Sequence, residues 1–328
     1  MTRRLLTIAL IIALAACREE HGTPAAAPST TPAADVSHGE AAIGAADTAP
    51  VEAMAPPRTS AALRRVRIEI RHARIVVSSG MSYDAWTFDG RVPGPFIRVT
   101  QGDTVYFTLV NRAPIPHSMD FHAAEIAPNR AYVNVNPGDS LHYRFVARVP
   151  GAFLYHCGTA PVAMHIANGM YGAIIVDPRQ ARGSAREFVL VQSEFYTQRA
   201  PGTDSTARAL DWQKLLGLAP DYVTFNGRAA QYATAPLHVK PGEPLRLYVV
   251  NAGPNRISAF HVVGAIFDRA YLDGSSAATL RGVQTVDVPV GGGAIFELRL
   301  AESGDYPFVT HAFADATKGA VGVLRAKP

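Results

Sequence analysis

Only two cysteines, Cys17 and Cys157, occur in the 328 residues. A disulfide framework is therefore excluded, and a buried core must hold the fold. No apolar run reaches the ~20 residues that a membrane-spanning helix requires. The longest, "LLTIALIIALAA", has twelve and lies at the N-terminus. Lys/Arg runs and basic helices are also missing. With 31 basic and 27 acidic residues the net charge is only +4, which gives nucleic-acid binding no support. Helix-period segments are scarce, "TARALDWQKLLGLAP" over 206–220 being the best candidate. A chain of this length nevertheless has room for two ordinary domains with buried cores.

The N-terminus opens with the positive "MTRR", followed by the apolar run and "LAAC" at Leu14–Cys17. A small-residue cleavage site directly before a cysteine resembles the bacterial lipoprotein signal. The expectation is a signal peptide over 1–16 and a lipidated Cys17 that anchors an exported protein to a membrane. Arg18, rather than Asp, follows the cysteine, and by that resemblance the outer membrane is the destination, with the folded part facing the periplasm or cell surface. Residues 17–62 are rich in Ala, Pro and Thr without apolar periodicity, and read as a flexible tether bearing His21 and His38. Lipidation of Cys17 would leave Cys157 as a lone thiol.

From about Arg64, short alternating or β-branched runs such as "RVRIEIRHARIVV", "TVYFTLVN", "SLHYRFVA" and "GAIIVDP" recur between Gly, Pro, Asn and Asp turn signals. This pattern predicts an all-β protein built from sandwiches. The chain also repeats itself. "FDGRVPGPFIRVTQGDTVYFTLVNRAPIPHSMDFH" from Phe88 parallels "FNGRAAQYATAPLHVKPGEPLRLYVVNAGPNRISAFH" from Phe225, and the 133–156 segment parallels 286–311. An interval of roughly 140–155 residues is domain-sized, so tandem β-sandwiches over 63–180 and 181–328 are expected rather than a solenoid. After the paired histidines the copies diverge: Cys157 follows His156, whereas Ala312 follows His311.

The first copy concentrates soft metal ligands. His117, Cys157, His165 and Met170 form the donor set of a blue-copper site, in which a thiolate and two imidazoles bind in a plane and a weak axial thioether tunes the potential. The spacing is one earlier histidine, then Cys-x7-His-x4-Met. Met164 is the competing axial donor, although a side chain adjacent to a ligand usually points elsewhere. In an extended strand neighbouring side chains face opposite sides, so Cys157 is expected to face inward and His156 outward. His122 and His156 then invite a second copper, for which His311, the repeat equivalent of His156, is the third ligand. The peptide between His156 and Cys157 would link the two metals.

"PHSMDFHAAE", "YHCGTAPVAMHIANGMYGAIIV", "SAFHVVG" and "THAFADATKGAVG" resemble the two-domain copper nitrite reductases over roughly residues 65–326. The resemblance implies two cupredoxin-like Greek-key sandwiches and two coppers per subunit. His117, Cys157, His165 and Met170 match the type 1 ligands, and His122, His156 and His311 the type 2 ligands, with an exchange between His117 and His122 still open. Asp120 matches the active-site aspartate, His261 the active-site histidine, and Val263 the aliphatic residue above the catalytic copper. The implied activity is one-electron reduction of nitrite to nitric oxide, with electrons from a small cupredoxin or cytochrome c. The implied assembly is a homotrimer in which His311 completes a neighbour's site. The Cys-x7-His loop is one residue shorter than in many relatives, and a Gly-rich stretch after Ala124 is missing, which bears on donor docking. On the residues alone, Asp120 also reads as a turn residue and His261 as a core histidine.

A laccase-like oxidase would need His-x-His pairs and a His-Cys-His strand for its trinuclear cluster. This chain has Tyr155-His156-Cys157 and no His-x-His, and outside the tether only His72, His142 and His238 remain without a role. A lipid-anchored copper electron carrier without a working type 2 site is the other alternative, and it would have no use for His261 or His311.

Overall fold

The computed structural model describes residues 49–58, 62–202 and 207–328. Cys17, the apolar run, His21 and His38 lie outside the described residues. Strands in the first half are β1 (Leu63–Ser78), β2 (Met81–Phe88), β3 (Ile97–Thr100), β4 (Thr104–Asn111), β5 (Asp120–Phe121), β6 (Ser140–Val146), β7 (Gly151–His156) and β8 (Tyr171–Asp177). Next come β9 (Arg186–Phe195), β10 (Thr197–Arg199), β11 (Ala207–Leu210), β12 (Tyr222–Phe225), β13 (Leu237–Val239), β14 (Leu245–Gly253) and β15 (Ser258–Val262). The last six are β16 (Arg269–Leu272), β17 (Thr279–Leu280), β18 (Thr285–Val288), β19 (Gly293–Leu298), β20 (Gly304–Thr310) and β21 (Val321–Ala326). Short helices α1 (Pro128–Ala131), α2 (Val162–Ala167), α3 (Trp212–Leu216), α4 (Gln231–Thr234) and α5 (Phe313–Ala316) sit in the connections.

Four sheets stack as two cupredoxin-like sandwiches. The first pairs the sheet β10-β11-β2-β1-β4-β6 with β3-β8-β7-β5; the second pairs β12-β9-β14-β19-β16-β17 with β13-β21-β20-β15-β18. Alternation places Ile68, Ile70, Phe107, Leu109, Phe121 and Tyr155 inside the first core. Leu190, Leu247, Val249, Phe260, Phe296 and Phe308 fill the second. A third cluster, including Leu154, Ala173, Ile175, Val191, Val250 and Ile295, lies where the sandwiches meet. Strands β8 and β14 are therefore buried along their whole length. That two-sided burial explains why "GAIIV" and "LYVV" read as continuous apolar runs rather than alternating ones.

Glycines permit the closest approach of the two sandwiches. A Cβ at Gly151 would strike the Asp273 carbonyl, and one at Gly293 the Ala152 carbonyl. The Ala152 N–H donates to the Asp273 carbonyl at 3.1 Å, and the Gly293 N–H to Asp273 Oδ1 at 2.9 Å. Strand β7 is thus pinned across β19, which fixes the strand whose end carries His156 and Cys157. Buried ion pairs join the same faces: Arg98 with Asp177 and Glu187, and Arg246 with Glu187 and Glu297. Each guanidinium is largely desolvated, so removing one partner would leave a buried charge uncompensated.

The sequence repeat is a repeat of conformation. Phe88 bridges Arg91 and Phe225 bridges Arg228. Between them Asp89 and Asn226 both sit at φ 56°, a left-handed conformation that Asx residues tolerate. Asn111 and Asn251 each close the following loop. Their side-chain amides donate to the carbonyls of Ile115 and Val135 in one copy and of Arg256 and Val288 in the other.

Three features differ from the sequence reading. Residues 51–56, taken as part of the tether, pack on the second sandwich: Ala53 is buried in its core, Met54 bridges Phe188, and the Val51 N–H donates to Gln231 Oε1. Within 206–220 the helix is only α3; Ala207–Leu210 is strand because it pairs with β10 and β2. Asp211 caps α3 by accepting from the Lys214 N–H at 2.9 Å. Finally, β10 and β11 belong by sequence to the second copy, yet they extend a sheet of the first.

Candidate metal centres

The inner site is assembled from three segments. His117 is held by paired backbone bonds with Val135, at 3.2 and 2.7 Å. Cys157 follows the end of β7, and its N–H donates to the Met170 carbonyl at 3.1 Å. His165 lies on α2, a turn of helix that the sequence reading treated as loop, and its carbonyl accepts from the Met170 N–H at 3.2 Å. His117 Nδ1 and His165 Nδ1 are 3.1 Å apart, and Cys157 Sγ is 3.2 Å from the latter and 3.9 Å from the former. Cys157 and Met170 share the first core, both fully buried. Met164 is half-buried on α2.

Burial sets the electrostatics. It is the chief cause that drives His117 down to about 2, with His165 and His72 adding to it, and His165 down to about 4. Both imidazoles are therefore neutral at physiological pH, with lone pairs free for a cation. The Ser118 N–H donates to Cys157 Sγ at 3.3 Å. Two imidazole nitrogens and one thiol converging in the apolar core that also buries the Met170 thioether fit a soft, thiophilic ion such as copper.

The outer site begins one residue away. His156 faces the opposite side from Cys157, as strand alternation requires, and its Nε2 lies 3.1 Å from Nε2 of His122. The rings are T-shaped at 5.1 Å. His156 Nδ1 is 2.9 Å from the Cys157 carbonyl, so Nδ1 carries the proton and Nε2 offers its lone pair. Burial lowers the His156 pKa. Asp120 is the cross-strand partner of His156 and completes the cluster, with Oδ2 3.9 Å from His156 Nε2. Nearby, burial first and Asp120 second push the Tyr132 phenol up to about 12. His117 thus groups with Cys157, and His122 with His156.

The second sandwich holds a matching pair elsewhere. His261, at the end of β15, lies 5.5 Å from His311 ring to ring, again T-shaped. His261 Nδ1 donates to the Gln284 carbonyl at 2.7 Å. His311 is exposed and packs edge-on against Phe313, while Val263 is exposed beyond β15. Among the described residues, the ligand clusters within one chain include neither His261 nor His311. Sequence reasoning also missed His72 and Trp86. They stack on each other beside His117 and His165, and only the β1–β2 register reveals that proximity.

Two sandwiches with a Cys/His₂ cluster inside the first define a cupredoxin-type multicopper architecture. The family model described as multicopper oxidase matches residues 69–181. Copper-containing nitrite reductase of Neisseria gonorrhoeae is 40% identical, with 97% of this chain and 86% of the relative covered. That of Alcaligenes xylosoxydans xylosoxydans is 31% identical over 76% of this chain and 82% of the relative. The solved copper nitrite reductase of Nitrosomonas europaea superposes with a TM-score of 0.75 at 37% identity, covering 81% of this chain and 94% of that one. The chain belongs to the copper-containing nitrite reductase family.

Proposed function

We propose that this chain reduces nitrite to nitric oxide: one nitrite, one electron and two protons give nitric oxide and water. The carrying observation is that the inner and outer donor clusters meet at consecutive residues, His156 at the end of β7 and Cys157 directly after it. His117, Cys157, His165 and Met170 would hold type 1 copper, and His122 and His156, with His311, type 2 copper. When bound, the first copper supplies a one-electron relay and the second a Lewis-acidic position for the anion.

The chain's own groups supply the rest. The His156–Cys157 peptide gives the shortest covalent path between the donor sets. Asp120, half-exposed beside His122 and His156, is placed to hand a proton to an oxygen of nitrite at that cluster. His261 is fixed by Gln284 with Nδ1–H bonded, so Nε2 is the atom that exchanges a proton with water or substrate. Val263 would crowd the space above the anion.

His261 and His311 lie outside the Asp120/His122/His156 cluster of their own chain. That separation supports assembly from several copies, each giving His311, His261 and Val263 to its neighbour. Head-to-tail contacts of this kind close into a ring, here a homotrimer. On this reading 63–180 carries electron entry and 181–328 completes the catalytic centre. Electrons would come from a small cupredoxin or a cytochrome c. Cys17 would anchor the exported protein to the outer membrane through lipid. No described helix is long and apolar enough to cross a membrane.

The test is nitrite-dependent release of nitric oxide by copper-loaded protein given an artificial reductant, with copper measured alongside. About two coppers per chain and nitric oxide production are expected. One copper and no nitric oxide would make the protein an electron carrier.

A further inference from the structure

His72 is an unassigned histidine in the sequence, yet β1–β2 pairing puts it opposite Trp86. The two rings stack at 5.4 Å with 10° between planes. Trp86 in turn meets His117 edge-on at 5.5 Å and His165 at 4.8 Å. The decisive contact is between the two imidazoles: His72 Nε2 lies 3.5 Å from His117 Nε2. That nitrogen is on the ring edge away from Nδ1, which faces Cys157 Sγ and His165 Nδ1.

A neutral imidazole has one N–H and one lone pair. If His117 gives its Nδ1 lone pair to the inner site, its proton must stand on Nε2. His117 is completely buried, so that N–H needs an acceptor inside the protein. The nitrogen facing it is His72 Nε2, which accepts when His72 carries its own proton on Nδ1.

We propose that His72 is a positioning residue for the type 1 copper: it accepts the His117 Nε2–H, so fixing the tautomer and plane of that ligand and raising its donor strength. Trp86 acts as the clamp that keeps the His72 ring in place. This inference rests on the type 1 reading of His117, Cys157 and His165. A stronger nitrogen donor favours Cu(II) over Cu(I), so losing the acceptor raises the reduction potential. Removing an outer partner of a metal-bound histidine typically costs ~10–100-fold in metal affinity. A tenfold loss confined to Cu(II) reads as a rise of about 59 mV.

The test compares His72→Phe, which keeps the stack on Trp86 but cannot accept, with His72→Gln, whose Oε1 can. The readouts are Cu(II) affinity, the potential of the visible band, and its intensity. The Phe variant should keep the thiolate-to-copper band, bind Cu(II) at least tenfold more weakly and titrate at higher potential, with Gln restoring both towards wild type. An unmoved potential and affinity in the Phe variant, with the band intact, overturns the role of His72 alone. Equal shifts in Phe and Gln variants also overturn it, because packing rather than acceptance would then matter. If copper-loaded wild type lacks the band, the type 1 reading itself fails and takes this inference with it. Reduced wild-type protein gives an independent check by nitrogen-15 NMR. A slowly exchanging His117 Nε2–H coupled to His72 Nε2 is expected, and its absence contradicts the proposal.

Discussion

The two halves of the molecule share one scaffold and one histidine pair, but among the described residues only the first gathers a Cys/His₂ cluster. His122 and His156 form a T-shaped pair at 5.1 Å, and His261 and His311 form another at 5.5 Å. Around those pairs the donors have been exchanged. Five residues before His122 stands His117; five before His261 stands Arg256, which instead pairs with buried Asp315 at 2.9 Å. Cys157 becomes Ala312. "NGMYG" around Met170 becomes "KGAVG", leaving Ala320 in the thioether's place. Asp120, the cross-strand partner of His156, has its counterpart in Ala259, whose carbonyl accepts from the His311 N–H. The lesson is that the scaffold itself carries a histidine pair, while the inner donor cluster differs from the second half at three further positions, His117, Cys157 and Met170. The second half keeps the pair without the site, and this is why we assign it to completing a neighbour's centre.

That comparison can be broken most severely at the sulfur. Cys157→Ser should abolish the intense visible band and with it electron delivery to nitrite; absorption spectra of copper-loaded protein check this, and a surviving band would remove the thiolate assignment. The reciprocal change, Ala312→Cys, should create no such band, since Arg256 and Ala320 offer neither an imidazole nor a thioether. Next in size is Asp120→Asn. With both coppers retained, turnover should fall roughly 10²–10⁴-fold, the usual worth of a positioned acid, whereas an unchanged rate would reduce Asp120 to a turn residue. Met170→Leu should be milder: the colour stays and the reduction potential rises, because the weak axial donor that favours Cu(II) is gone. An unchanged potential would hand the axial role to Met164.

The smallest effect concerns acid. Because burial depresses the folded-state pKa of His165 to about 4 and of His117 to about 2, the ligand-ready neutral forms persist to low pH. Protons should begin to compete for the inner site only as pH approaches 4, so the visible band should be flat between pH 7 and 5. Bleaching centred near the ordinary imidazole value of 6.5 would mean that the site is open to water.

Much of the first half's site could be read from the sequence, since it rests on local rules. Alternation continued from β7 sends His156 and the next residue, Cys157, to opposite faces, and the Cys-x7-His-x4-Met spacing sits within the connection from β7 to β8. The repeated Phe-Asx-Gly-Arg and Val-Asn signals mark equivalent turns that the backbone repeats to within a few degrees at Asp89 and Asn226. What escaped depends on contacts between distant segments. The nearness of His72 to His117 follows from the register of β1 against β2, which composition does not set. The packing of residues 51–56 on β9 and the addition of β10 and β11 to the first sheet likewise follow from which sheet edges lie open after the sandwiches meet. The α2 turn under His165 is too short for a periodic signal. Whether His311 meets His156 within one chain or between chains depends on assembly, and no local pattern encodes it.

Sharing of the outer site between copies is the central claim, and complementation tests it most directly. His311→Ala chains and His156→Ala chains, each inactive alone, are unfolded together, refolded and assayed for type 2 copper and nitrite reduction. Random assembly into rings should restore about a quarter of the sites, those in which an intact His156 faces an intact His311 from the next copy. Mixed assemblies that form normally yet recover neither copper nor activity would place the whole centre within one chain and contradict the account.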